Sequence, residues 1–152
     1  MAYVELDAPK GAAAGIARFY DQVLGAATKV IEHKGAPCAR VAAGEGQFLY
    51  FRETKKPRVP YDNNHIQFYI ADFSSPYDQL MKVGLIYQES NQHQYRFKDI
   101  IDPDSGKVIY VLDHEVRSMG HPMYARPLIN RNPALSLRAY DPGAESAHWT
   151  TG

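Results

Sequence analysis

A histidine stands at the entrance of an apolar segment in YDNNHIQFYIADF, residues 61–73. β-Branched and aromatic residues follow it, which is typical of a buried strand. With the two-residue period of a strand, one face carries polar side chains: His65, Gln67 and Tyr69. The opposite face is apolar: Ile66, Phe68 and Ile70. The apolar face requires a core, whereas the polar face either lines a pocket or faces water. The histidine is therefore either a structural residue or a general base or metal ligand.

Similar side chains share strand faces in the first half of the chain. In YVEL (3–6), Tyr3 and Glu5 alternate with apolar residues, and in GQFLYFRE (46–53), Tyr50 and Arg52 do the same. Glu5 is either a pocket acid or a solubilising edge residue. Arg52 either forms a surface pair or binds a substrate carboxylate. A tyrosine offers stacking area with a polar tip, so these faces favour an aromatic ligand.

The composition limits the classes of function. The chain has 152 residues, of which 45% are hydrophobic, and its 17 Lys+Arg balance 17 Asp+Glu. With this balance the protein has no net positive charge that would attract nucleic acid or an anionic membrane, so we expect neither as a partner. A single cysteine, Cys38, excludes an internal disulfide and a multi-cysteine zinc site. With neither a membrane-length apolar run nor a signal-peptide pattern, we expect a cytoplasmic protein.

The order of predicted elements repeats. A strand at 3–6 precedes a helix with an apolar stripe, and three strand-like segments follow before a linker at 54–64 that is rich in charge and proline. A second strand, a second helix and three more strands then occupy 65–115. Gly46 and Gly106 are 60 residues apart, as are Tyr50 and Tyr110. We infer a duplication that produced modules 3–53 and 65–115 of one domain, 1–115.

These pieces together resemble the vicinal oxygen chelate superfamily, which includes glyoxalase I, bleomycin resistance proteins and extradiol dioxygenases. The resemblance is carried by YVEL before ARFYDQVLGA, by HIQFYIADF before a helix and by DPDSGKVIYV near the end. It implies an α+β fold in which two tandem βαβββ modules form a U-shaped mixed sheet around a pocket, with the helices on the convex face. The pocket is then expected to be lined by residues of both modules: Tyr3, Glu5, Tyr50, Arg52, His65, Gln67, Tyr69 and Tyr110.

The resemblance leaves two functions open. The first is a glyoxalase- or dioxygenase-like enzyme with lyase, isomerase or dioxygenase chemistry, in which His65 and Glu5 are catalytic. The second is a metal-free protein that sequesters a small aromatic compound. Metal-dependent members take ligands from the first and last strand of each module, which here gives His65, Glu5, Tyr50 and Tyr110. Neutral tyrosine is a poor ligand for divalent metals, so no metal is favoured, although tyrosinate suits iron.

Residues 116–152 extend beyond the modules. The segment HPMYARPLINRNP mixes apolar residues with prolines and arginines and is too apolar for a free tail. We expect it to dock on the domain or on a second subunit, and we expect the end of the chain to be disordered. Since members of the superfamily pair modules across a two-fold axis, we also predict a homodimer.

Overall fold

The computed structural model describes residues 2–57, 60 and 63–124, which form β-α-β-β-β twice. Module 1 consists of β1 (Tyr3–Pro9), α1 (Ala13–Leu24), β2 (Thr28–His33), β3 (Ala36–Gly44) and β4 (Gln47–Thr54). Module 2 consists of β5 (His65–Ile70), α2 (Ser74–Lys82), β6 (Ile86–Asn91), β7 (Gln94–Ile101) and β8 (Val108–Ser118). The predicted α+β class with two βαβββ modules is confirmed. The last strand continues to Ser118, whereas the sequence pattern placed the end of module 2 at residue 115.

Each module forms its own four-stranded mixed sheet. Sheet A has the order β1-β4-β3-β2 and sheet B has the order β5-β8-β7-β6. The first and last strands of each module pair in parallel, and the other pairs are antiparallel. The two sheets are therefore related as the duplication predicts, but the strands of one chain do not join into one continuous sheet.

Helix α1 forms because its apolar residues recur on one face. Ile16, Phe19 and Tyr20 of this stripe are buried. The helix ends at Gly25, whose φ of +64° is the left-handed conformation that glycine adopts without a steric cost. The Gly25 N–H donates to the Asp21 carbonyl (3.1 Å). The predicted apolar stripe is therefore confirmed, and a glycine ends the helix.

The start of helix α2 is stabilised by an aspartate that precedes it. The helix starts at Ser74, and the Asp72 Oδ1 atom accepts a hydrogen bond from the Ser75 backbone N–H (3.1 Å). Asp72 thus supplies the side-chain oxygen that the first turn needs. Leu80 is fully buried and anchors the helix on module 2.

The apolar faces of the two sheets share one core, and α1 lies between them. On the module 1 side, Tyr20 packs against Phe51 of β4 (ring centroids 5.4 Å apart). On the module 2 side, Phe19 packs against Phe97 of β7 (5.9 Å). Because side chains alternate along each strand, we infer that the polar faces of sheets A and B point away from α1 and from the shared core.

A buried polar link crosses this core. The imidazole of His114 is fully buried, and its Nδ1 lies 2.6 Å from the Leu112 carbonyl, to which it must donate. Its Nε2 therefore accepts the hydroxyl hydrogen of Tyr20 (2.6 Å). Burial lowers the pKa of His114 to about 4, so the ring is neutral at pH 7. Helix α1 of module 1 is thereby joined to β8 of module 2.

Some expectations concern residues beyond the described part of the chain. Residues 125–152 lie outside it, and so do the predicted docking of the C-terminal extension and the disorder of its end. The last described residue, Tyr124, packs against Tyr69 (ring centroids 5.2 Å apart). Within the described ranges, no helix has the length and apolar character needed to cross a membrane.

Candidate functional site

The polar face of sheet A carries a group of stacked rings. Tyr3 and Tyr50 are stacked, with ring centroids 4.7 Å apart and an interplanar angle of 17°. His33 meets Tyr50 edge-on (4.9 Å), and Phe48 lies tilted beside Tyr50 (6.2 Å). The Arg40 guanidinium lies over the Phe48 ring (4.8 Å). These five side chains form a surface, here called the aromatic platform, that can stack against a flat ligand.

Glu5 lies beside this platform inside an ion-pair network. Its Oε1 accepts from Arg52 Nε (2.8 Å), and its Oε2 lies 2.6 Å from Lys34 Nζ and 3.1 Å from His33 Nε2. The hydrogen bond from Lys34, followed by that from Arg52, lowers the pKa of Glu5 to about 2. A carboxylate with so low a pKa is a weak proton acceptor. Glu5 therefore fits charge balance and orientation better than the general base expected from the sequence.

The polar face of sheet B is organised around a buried carboxylate, Glu115. It pairs with Arg96 Nη2 through Oε2 and with Arg117 Nη2 through Oε1 (2.5 Å). His65 Nε2 lies 3.9 Å from Glu115 Oε2, and the His65 side chain is 46% exposed. The candidate histidine thus has an acidic neighbour on one side and solvent on the other.

Further hydrogen bonds hold this group in place. Asp113 accepts the hydroxyl hydrogen of Tyr87, with both carboxylate oxygens at 2.8 Å, and pairs with Arg96 Nη1 (3.3 Å). Arg117 donates to Tyr69 Oη (3.2 Å) through Nη1. Because each arginine bridges two or more acceptors, the polar side chains of sheet B are fixed before any ligand arrives.

Sequence reasoning missed the acidic and basic members of this group: Asp113, Glu115, Arg96 and Arg117. A usable signal exists in LDHEVR, residues 112–117, where charged residues alternate with Leu112, His114 and Val116. The alternation identifies the face but not the partners. The pairing of Arg96 with Glu115 follows from the β7–β8 alignment, which places these two residues directly opposite each other.

The structure divides the expected site residues into two groups. Sheet A brings together Tyr3, Glu5, Tyr50 and Arg52, and sheet B carries His65, Gln67 and Tyr69. The ion pairs of Glu5 are with module 1 residues, and those of Glu115 are with module 2 residues. Each group thus has its ion-pair partners within its own module, and we infer from the shared core that the two polar faces, which point away from it, do not line one pocket within one chain.

The expected position of Tyr110 beside these residues is wrong. Its ring packs edge-on against Phe51 (5.5 Å) on the core side of sheet A. In the parallel strand pairs, Glu5 lies opposite Tyr50 in module 1 and His65 lies opposite Asp113 in module 2. Equivalent residues of the two first strands are thus 60 positions apart (65 − 5), whereas equivalent residues of the two last strands are 63 positions apart (113 − 50). An irregularity in the β7–β8 pairing accompanies this change, and the residue equivalent to Tyr50 is therefore Asp113.

The residues present do not fit a metal site within one chain. The four ligands that the resemblance implies lie in three places: Glu5 and Tyr50 on sheet A, His65 on sheet B and Tyr110 in the core. Among the described residues, no group of three or more His, Cys, Asp or Glu is placed to hold a metal ion. A catalytic zinc site needs about three protein ligands, so no step of a reaction is assigned to a metal here.

Comparison with solved structures places this geometry among known folds. No family model matches the sequence, and no curated protein matches it. The oxidase ChaP-H2 is 18% identical with a TM-score of 0.57, over 84% of this chain and 93% of that one. A Bacillus anthracis structure described as a glyoxalase family protein is 19% identical with a TM-score of 0.55, over 78% and 93%.

A third similar structure is FosX, a fosfomycin resistance protein from Listeria monocytogenes. It is 12% identical with a TM-score of 0.51, over 77% of this chain and 89% of that one. A FosX variant was solved with Mn(II) and 1S,2S-dihydroxypropylphosphonic acid. At these identities the likeness concerns the fold and not the reaction. With its two βαβββ modules, the chain has the fold of the vicinal oxygen chelate superfamily.

Proposed function

We propose that this protein binds a small organic molecule in a pocket that two copies of the chain complete. The observation that carries the proposal is the packing of α1 against the apolar faces of both sheets, from which we infer that the two polar faces point away from each other and that one chain cannot enclose a ligand with both. In a two-fold dimer, sheet A of one copy meets sheet B of the other, and the same contact is formed twice. The predicted homodimer thereby becomes a requirement of the site.

The ligand class follows from the aromatic platform. Stacked Tyr3 and Tyr50 offer a flat surface, and Phe48 extends it. Arg40, which lies over Phe48, adds a positive charge to this surface and favours an acidic substituent on the ligand. We therefore propose a planar aromatic acid as the preferred chemical class.

A mixing experiment tests the shared pocket. Tyr50→Ala removes a platform ring on sheet A, and His65→Ala changes sheet B. In a mixed dimer of the two variants, one pocket carries both changes and the other carries neither. The variants are co-expressed with different affinity tags, the mixed dimer is isolated, and binding of 1-naphthoate is titrated by fluorescence.

We expect the mixed dimer to bind one naphthoate, the unaltered dimer two, and each parent variant at least tenfold more weakly. A pocket formed within one chain would instead leave the mixed dimer with no intact site. Light scattering of the unaltered protein provides the control. A stable monomer at micromolar concentration that still binds naphthoate would refute the proposal.

An acid–base reaction is the second candidate function, favoured by the position of His65. Its Nε2 is half-exposed and lies 3.9 Å from the ion-paired Glu115, which can stabilise an imidazolium. Such a histidine can take a proton from a carbon next to a carbonyl group and return it to the resulting enolate. Deuterium exchange into 2-hydroxyacetophenone, followed by NMR, measures this step. We expect His65→Gln to abolish catalysed exchange. If the unaltered protein catalyses no exchange, the acid–base function is refuted and only the binding function remains.

A further inference from the structure

A cavity of about 520 Å³ lies between the two modules and is lined by residues of both. It is enclosed by the end of α1, by β3 and by the segment that leads from β5 into α2. Its floor is apolar and consists of Val41, Leu49, Phe68, Ile70 and Pro76. Its exposed rim includes Gln22, Asp72 and Gln79. An apolar floor with a few polar groups at the rim is the usual composition of a ligand pocket, and the volume lies within the usual range.

The charge of the rim limits what this cavity can bind. Asp72 is the acidic residue of the lining, and no lysine or arginine of the described chain lines the cavity. Hydrogen bonds from the Ser75 side chain and backbone lower the pKa of Asp72, so its carboxylate is charged at neutral pH. The Ser75 N–H donates to Oδ1 (3.1 Å), and Asp72 itself is exposed at the rim, where a donor on a bound molecule can reach its carboxylate. An anionic molecule would meet this carboxylate without a compensating cation.

We propose that the cavity binds a small hydrophobic amine, with its apolar body on the floor and its ammonium group beside Asp72. This site shares Tyr69 with the polar face of sheet B, but no residue of the aromatic platform lines it, and it does not depend on the function proposed for that platform. Tyr20 also lines the cavity and forms the hydrogen bond to His114 that joins the modules. A molecule bound here would therefore contact both modules and stabilise their packing.

Three probes of similar shape separate the contributions of the floor and of Asp72. These are 1-naphthylmethylamine, its neutral analogue 1-naphthalenemethanol and the anion 1-naphthoate, each titrated into the full-length protein by fluorescence and NMR. We expect the amine to bind more tightly than the alcohol. Asp72→Asn should weaken the amine about two- to fivefold, the range for an exposed ion pair, and leave the alcohol unchanged. Asparagine still caps α2, so the fold is retained.

A second variant tests the location. Ala43 lines the cavity and is exposed, so Ala43→Trp fills the space from the solvent side and should weaken the amine at least tenfold. If that variant does not fold, Gln79→Trp on the exposed side of α2 replaces it. Tyr50→Ala on sheet A is the matched control, and it should reduce naphthoate binding without affecting the amine.

Three results would overturn the proposal. The first is amine binding that survives both tryptophan substitutions. The second is equal binding of amine and alcohol, with neither affected by Asp72→Asn. The third is no binding of amine or alcohol, which would mean that a second copy or another part of this chain covers the cavity. None of these results depends on whether naphthoate binds the polar faces.

Discussion

The buried imidazole of His114 should make the protein lose stability in mild acid. Its pKa is about 4 in the fold, against about 6.5 in an unfolded chain. Between these values the unfolded state binds the extra proton and the folded state does not. Stability is therefore fully present above pH 6.5 and falls as the pH decreases towards 4. At about 1.4 kcal/mol per pKa unit, the loss is roughly 3 kcal/mol, a large fraction of a typical domain's stability.

Urea unfolding followed by circular dichroism at pH 7.5, 6.5, 5.5 and 4.5 measures this loss. The control is the double variant Tyr20→Phe/His114→Phe, because His114→Phe alone would leave the Tyr20 hydroxyl buried without its acceptor. The double variant should show little change in stability from pH 6.5 to 4.5, whereas His65→Ala should retain the full change. Glu5, whose pKa is about 2 in the fold, begins to lose its contribution as the pH falls to its unfolded value near 4.5, and the double variant and His65→Ala share this loss, so comparing them isolates His114.

Two outcomes would refute this reasoning. One is a constant free energy of unfolding from pH 7.5 to 4.5 in the unaltered protein. The other is an equal decrease in the double variant. Either would mean that His114 can be protonated in the folded state without cost, and hence that the link between α1 and β8 is open to water.

Three further predictions follow from particular positions. Phe97→Ala removes a fully buried ring and should lower the free energy of unfolding by about 3–5 kcal/mol. His65→Ala at the half-exposed site should lower it by about 1 kcal/mol or less. Equal losses in chemical unfolding experiments would mean that His65 is a structural residue. Gly46→Ala and Gly106→Ala should each cost about 1–2 kcal/mol, because φ is +64° and +68° at these turns; thermal melts without a shift would contradict this. Untagged protein should contain substoichiometric Zn, Ni, Mn and Fe by elemental analysis, and one equivalent lost on His65→Ala would establish a metal site.

Local patterns were sufficient to predict the elements and most of their inner faces, with Tyr110 of β8 as an exception. The two-residue alternation in β4 correctly assigned Leu49 and Phe51 to the core, and the stripe of α1 correctly assigned Ile16 and Phe19. These assignments succeed because the side-chain direction of a strand or helix is set by its own backbone geometry. The order of five elements that occurs twice, and with it the fold class, follows from the same local information.

Residue contacts between strands were predicted less well. Counting 60 residues from Tyr50 led to Tyr110, yet pairing sets Asp113 in the equivalent place. An irregularity in strand pairing changes the partner of every residue that follows it, and the amino-acid sequence alone does not show where such an irregularity occurs. For the same reason Arg96 and Glu115, which are far apart in sequence, could not be recognised as partners.

The sequence alone determined which face of each sheet is apolar, and the tertiary structure decided what each polar face meets. The apolar faces would be equally well buried in several arrangements of two βαβββ modules. Packing of α1 against both Phe51 and Phe97 selects the arrangement in which the sheets share one core. The stacked tyrosines on sheet A and His65 beside Glu115 on sheet B consequently belong to two separate groups, each facing away from the shared core. Burial of apolar area is non-directional, so this choice depends on the complementary shapes of the packed side chains.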